Sequence, residues 1–126
     1  MIGQDVGSLE RRCARMYPER TAVVCGDKRM TYSQLHDRIN RCAQALAKLG
    51  VRKGDRVAML LPNCIEYLEV DFALAKLGVI KVALVTRLHP NEWTSNIADC
   101  EANTLILEEG ALSGVMENLH RVPLVK

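Results

Sequence analysis

The side chains able to do chemistry here are five cysteines, three histidines, four serines and two close pairs of glutamates. Glu66 and Glu69 stand three apart, so on a helix they share a face, the arrangement paired acid–base carboxylates need. Helix capping and solvation account for that pair equally well. Glu108 and Glu109 follow a run of apolar residues, and strand ends are where functional groups of open α/β sheets gather. His36, His89 and His120 have no second histidine at helical spacing. A surface position is expected for each, with His36 on the polar side of its helix. Ser8, Ser33, Ser95 and Ser113 lack the G-x-S-x-G elbow that exposes a nucleophilic hydroxyl. Cys13, Cys25, Cys42, Cys64 and Cys100 are odd in number and contain no C-x-x-C pair. That pattern excludes a zinc knuckle and a paired disulfide framework. Each cysteine has apolar neighbours and is expected as a small core residue in a reducing compartment.

Nucleotide phosphates need glycine-rich turns that let backbone N–H groups approach closely. Neither G-x-G-x-x-G nor G-x-x-x-x-G-K-[ST] occurs. The turn Leu61-Pro62-Asn63-Cys64 has no glycine, which argues against a dinucleotide site. Seventeen basic and fifteen acidic residues leave a formal charge of +2. That balance lacks the basic stripe of a nucleic-acid binder. Arg52, Lys53 and Arg56 are a short cluster expected in a solvated loop. Gln4, Asp5 and Glu10 interrupt the apolar run a signal peptide requires. No apolar stretch reaches the roughly 20 residues that span a bilayer. These features predict a cytoplasmic chain with a continuous core, since 48% of its residues are hydrophobic.

The elements that position these groups follow from periodicity. Residues 5–16 predict a helix with Val6, Leu9, Cys13 and Met16 as its apolar stripe and Glu10, Arg11, Arg12 and Arg15 opposite. Residues 21–25 and 29–31 predict a small hairpin around Gly26-Asp27-Lys28. Thr31 with Gln34 forms a capping box, and Met30 with Leu35 forms a hydrophobic staple. The helix they open carries Leu35, Ile39, Cys42, Leu46 and Leu49 on one face and stops at Gly50. Residues 56–61 predict a buried strand. Asn63, with Glu66 three residues on, caps the next helix. Ile65, Leu68, Phe72 and Ala75 make the main face of that helix, Leu74 and Leu77 widen it, and Gly78 ends it. Residues 79–85 form the next strand, completing a βαβ unit with parallel strands. A third core helix starts at Pro90, with Trp93, Ile97 and Cys100 sharing a face. Residues 104–107 predict a strand, 111–119 a short helix and 122–125 another strand. An end inside an apolar strand suggests a sequence cut from a longer one. Local chemistry alone establishes a soluble α/β domain and no reaction.

Five stretches, taken in order, resemble the acyl- and aryl-CoA synthetases among the adenylate-forming (AMP-binding) enzymes. They are Tyr17-Pro18-Glu19-Arg20-Thr21-Ala22, Met30-Thr31-Tyr32-Ser33-Gln34-Leu35, Leu49-Gly50-Val51-Arg52-Lys53-Gly54-Asp55-Arg56-Val57-Ala58, Leu61-Pro62-Asn63-Cys64-Ile65-Glu66 and Ala75-Lys76-Leu77-Gly78-Val79. The second resembles the family's L-T-Y-x-E-L signature and the last its K-x-G-A segment. Val82-Ala83-Leu84-Val85-Thr86-Arg87 departs from the family's V-P-L-N-P-R, lacking its proline and asparagine while Arg87 matches. Ala111-Leu112-Ser113-Gly114 stands where acetyl-CoA synthetases carry an arginine pair for CoA, so no such contact is expected.

The resemblance implies an N-terminal subdomain of the acyl-CoA synthetase fold, with a mostly parallel sheet, βαβ units and a small N-terminal hairpin. It implies that residues 1–126 are an incomplete ligase domain without ATP loop, hinge or C-terminal domain. The parent reaction would join a carboxylic acid to CoA through an acyl-adenylate, using ATP and Mg2+. The fragment itself is expected to be inactive, with no catalytic, cofactor-binding or metal-binding residue of its own. Its expected partner is the remainder of its own ligase domain, not nucleic acid, and a homo-oligomer is compatible with it. The alternative is a catalytically dead standalone module that binds a protein partner.

Overall fold

The computed structural model describes residues 6–62, 64–84, 87 and 90–107. The chain divides into two compact units. One takes its residues from 1–53 and 63–78, the other from 54–62 and 79–126.

The first unit holds α1 (Val6–Met16), the hairpin β1 (Thr21–Cys25) and β2 (Lys28–Thr31), α2 (Tyr32–Lys48) and α3 (Ile65–Leu77). The strands pair antiparallel, with Cys25 opposite Lys28. Gly26 turns the chain between them at φ +61°, a conformation that strains any residue with a Cβ. The capping box is present as expected: Thr31 Oγ1 accepts from Gln34 N at 3.1 Å, and Gln34 Oε1 accepts from Thr31 N at 2.9 Å. The far end of α2 closes as a Schellman motif. Val51 N donates to Leu46 O and Gly50 N to Ala47 O, with Gly50 at φ +98°. Leu46 and Val51 are both buried beside that reversal, and Leu35 and Ile39 continue the buried stripe.

Two expectations for this unit need correction. The buried face of α1 is not the apolar stripe, because Leu9 and Met16 are 50% and 57% exposed while Gly7 and Glu10 are buried. The reason is close approach. A Cβ on Gly7 would lie 3.0 Å from Lys76 Cα, so the glycine lets α1 press its backbone onto α3. The face of α3 also differs. Ile65, Glu69, Ala73 and Leu74 are its buried residues, and Glu69 displaces Leu68 and Phe72 from the deepest positions. The cap of α3 is Cys64, with no side-chain cap bond. Asn63 lies outside the described residues.

The second unit is a parallel three-stranded sheet in the order β4-β3-β5, from β3 (Arg56–Leu60), β4 (Ile80–Ala83) and β5 (Thr104–Leu107), with α4 (Pro90–Cys100) between the last two. Val57 pairs with Lys81 on one side and Thr104 on the other. The central strand is apolar at consecutive positions, and Val57, Ala58, Met59 and Leu60 are all fully buried, the pattern of a strand covered on both faces. Ala58 and Leu60 form one core with Leu84, Trp93, Ile97 and Ala102. The face shared by Trp93, Ile97 and Cys100 is thus the one α4 buries. Glu101 adopts φ +56° to turn the chain into β5.

The cysteines are less buried than their apolar neighbours suggest. Cys25 is exposed, the other four are half-buried, and none is in a disulfide. They sit beside the deepest packing positions, not in them. The expected helix 111–119 and strand 122–125 lie outside the described residues.

Candidate functional site

The carboxyl ends of the parallel strands are the first place to seek a site, since open α/β sheets bind ligands there. In the described residues those ends carry Leu60-Leu61-Pro62, Ala83-Leu84 and Leu107. These offer no cation and no side-chain donor for a phosphate. The described residues therefore do not fit a nucleotide or its metal at this edge, and no step through such a group is derived from them. Glu108 and Glu109 lie outside the described residues, as do His89, His120 and Ser113.

The strongest polar constellation lies in the helical unit. Glu10 on α1 is 5% exposed. One of its carboxylate oxygens pairs with Lys76 Nζ on α3. The other accepts from His36 Nδ1 on α2 at 2.8 Å. Asn40 closes the circuit: its Oδ1 accepts from Lys76 Nζ at 2.7 Å and its Nδ2 lies 3.1 Å from His36 Nε2. The ammonium can only donate, so Lys76 fixes which way the Asn40 amide points. The amide then presents N–H to His36 Nε2, which must accept, and the imidazole proton sits on Nδ1 facing Glu10. His36 is accordingly a half-buried link between helices and not the surface residue expected from its helix face.

Each group in this ring has its donors and acceptors matched, and one carboxylate is balanced by one ammonium. The work of the ring is mechanical: it bolts α1 to α2 and α3.

Glu69 is a second buried carboxylate, 7% exposed. Arg38 on α2 faces both of its oxygens, with Nε toward Oε1 and Nη2 3.4 Å from Oε2. Glu66 and Glu69 therefore do not act together. Glu66 lies on the surface, where its own backbone N–H and then the Cys64 thiol hold its carboxyl below the usual range. Burial, together with the Glu69 charge, pushes the Cys42 thiol up. Burial, reinforced by Glu66, pushes the Cys64 thiol up. Both thiols stay protonated near neutrality, which argues against a nucleophilic role.

Residues 9–125 match the AMP-binding enzyme family. The chain belongs to that family. Among curated members, a feruloyl-CoA synthase of Amycolatopsis sp is 44% identical over 106 residues, covering 84% of this chain and 22% of that enzyme. The long-chain-fatty-acid–CoA ligase FadD13 of Mycobacterium tuberculosis is 38% identical over 105 residues, covering 82% of this chain and 21% of its own length. The chain thus spans about a fifth of the curated relatives it matches. The crystal structure of the anthranilate CoA ligase AuaEII with anthranoyl-AMP superposes with a TM-score of 0.91 at 28% identity, covering 99% of this chain and 24% of that one. The N-terminal domain of FACL13 from Mycobacterium tuberculosis superposes at 0.85 with 34% identity, over 90% of this chain and 30% of that one. The expected fold class holds: mixed α/β, with a parallel sheet and a separate small hairpin.

Family membership gives the bolt a second meaning. Lys76 is the lysine of the segment that resembles the family's K-x-G-A, and here it neutralises a buried glutamate. Gly78 beside it stands at φ +71°, and a Cβ there would meet Lys53 Cγ at 2.9 Å. Thr31 and Gln34 cap α2. Thr31, Gln34, Lys76 and Gly78, four residues of the matched stretches, build helix ends and a helix junction. Sequence reasoning missed Glu10, Asn40 and Lys76 as partners. The available signal was Gly7 one turn before Glu10, which marks the helix face able to come closest to a neighbour.

Proposed function

We propose that this chain is an N-terminal segment of an ATP-dependent acid–CoA ligase. Residues 1–126 would form part of its AMP-binding domain and supply scaffold, not reacting groups. The parent reaction on this reading joins a carboxylic acid and ATP to an acyl-adenylate with release of pyrophosphate. CoA then displaces AMP to give the acyl-CoA. ATP, Mg2+ and CoA would be held by residues outside this segment, since the described strand ends bring no phosphate donors. What supports the reading is the match over residues 9–125 to a family whose similar members here include acid–CoA ligases. Stabilising phosphoryl transfer takes cations and amide donors aimed at the phosphates. Lys76 is already committed to Glu10 and Asn40.

The expected partner is the remainder of the same ligase domain. Exposed apolar side chains on the helical unit, Leu9, Met16, Val24 and Leu49 among them, suit an unfinished surface. The same exposure supports the second reading, a catalytically silent module that covers those side chains with another protein. Among the described residues no helix is long and apolar enough to cross a membrane.

The test is pyrophosphate release by the purified 126-residue chain with ATP and carboxylic acids of graded length. No release above the protein-free rate is expected. Acid-dependent release would overturn the assignment of the chemistry to other residues.

A further inference from the structure

On the helical unit, β2 and one face of α2 border an open surface hollow of about 350 Å³ lined by Arg29, Met30, Gln34, Asp37, Arg38 and Arg41. Gln34, Asp37, Arg38 and Arg41 recur at three- and four-residue steps, so they stand on one side of the helix. Arg29 reaches the same hollow from the hairpin. We propose that this hollow binds a phosphate group carried by a small molecule.

Three features argue for an anion. First, three guanidinium groups from two elements line the hollow, against the carboxylate of Asp37 in the lining and that of Glu69 behind Arg38. Arg29 and Arg41 have no ion pair among the described residues. Second, Arg38 is held in place by the buried Glu69, which engages its Nε and Nη2 side and leaves the other edge of the guanidinium free. One of the three cations is therefore positioned before any ligand arrives, which lowers the ordering cost of binding. Third, Gln34 Oε1 is committed to the backbone N–H of Thr31. What its amide has left to offer a ligand is the NH2, a donor. The polar lining thus presents donors from four side chains. Planar forks of this kind match the tetrahedral oxygens of phosphate, and arginine is the residue best suited to that geometry.

The proposal is one of binding, with no bond made or broken. None of the hollow's lining residues belongs to the Glu10–Lys76 bolt. It also does not depend on the ligase reading, since it is read by binding to this chain and not by turnover.

The experiment is a calorimetric titration of the 126-residue chain with inorganic pyrophosphate, repeated with succinate and on four variants. Saturable one-to-one binding is expected, weakened by salt. Arg41→Ala and Arg29→Ala should each weaken it about tenfold, the loss of one charge-assisted fork. Asp37→Asn should tighten it, because it removes the one repelling charge and keeps the shape. Arg15→Ala, exposed on α1 and outside the lining, should leave it unchanged. All three arginines are exposed, so circular dichroism is expected to show each variant folded. Absence of saturable binding overturns the proposal. Pyrophosphate affinity unaffected by Arg29→Ala and Arg41→Ala, or weakened by Asp37→Asn, does so too. Succinate binding as tight as pyrophosphate overturns the assignment to phosphate.

Discussion

In the sheet unit every side chain buried among the described residues is apolar, from Val57 through Ile97 to Ala102. In the helical unit the three helices meet around Glu10 and Glu69 as well as Leu35, Ile39 and Leu74. The sheet unit tolerates a loss of volume badly but has no charge to strand. The helical unit is held by matched charges, so its weak point is any change that removes one partner alone. A buried ion pair adds little over a well-packed apolar pair, yet half of one is strongly destabilising. The difference locates where each unit should break.

The largest effect is expected at Lys76. Lys76→Met leaves Glu10 buried without its ammonium and should cost about 3–5 kcal/mol in urea unfolding. Adding Glu10→Leu to that variant should recover most of the loss. A double variant as unstable as the single one would show that the two side chains are not coupled. In the sheet unit, Ile97→Ala opens a cavity against Ala58, Leu60 and Trp93 and should cost about 3 kcal/mol by the same measurement. No second substitution of a charged residue should rescue it. Gly7→Ala comes next, at about 2 kcal/mol, because the new methyl meets the Lys76 backbone and not a flexible side-chain tip.

The smallest effect is electrostatic and shows in its pH dependence. The Glu66 carboxyl is held below its usual range at the start of α3, first by its own backbone N–H and then by the Cys64 thiol. Folding therefore favours its ionised form. The stabilisation is complete above the ordinary carboxylate range and is lost as pH falls through the lowered folded value. Glu66→Gln should flatten that acid limb slightly and leave stability near neutrality almost unchanged, since the group is nearly fully solvated. A variant with an unaltered acid limb would assign the pH dependence to other carboxylates.

How much was legible in the sequence divides along the same line. Apolar periodicity finds Trp93 and Ile97 because every residue on that face obeys one rule, burial of hydrocarbon. Capping and helix stops were also legible, because Thr31, Gln34, Gly50 and Gly78 act on neighbours within a few positions of themselves. Glu10, His36, Asn40 and Lys76 were not, since the bonds joining their helices span separations of 26 to 66 residues. Periodicity places each of them on a polar face and cannot say that the polar faces meet. The apolar stripe expected on α1 failed for the same reason: Leu9 and Met16 obey the pattern, but Gly7 decides which side of the helix comes closest to α3. The parallel sheet was legible from the alternation of strand and helix, whereas any group at the carboxyl ends of its strands was not supplied by the described residues at all.

The central claim is that this chain serves as scaffold for a ligase whose reacting groups lie elsewhere. The most direct measurement replaces the matched segment of the Mycobacterium tuberculosis long-chain-fatty-acid–CoA ligase with this chain and assays the chimera for acid-dependent pyrophosphate release. Release by the chimera, with none from the 126-residue chain alone, is the predicted result. A chimera that folds, by its cooperative melting, yet forms no adenylate would contradict the claim.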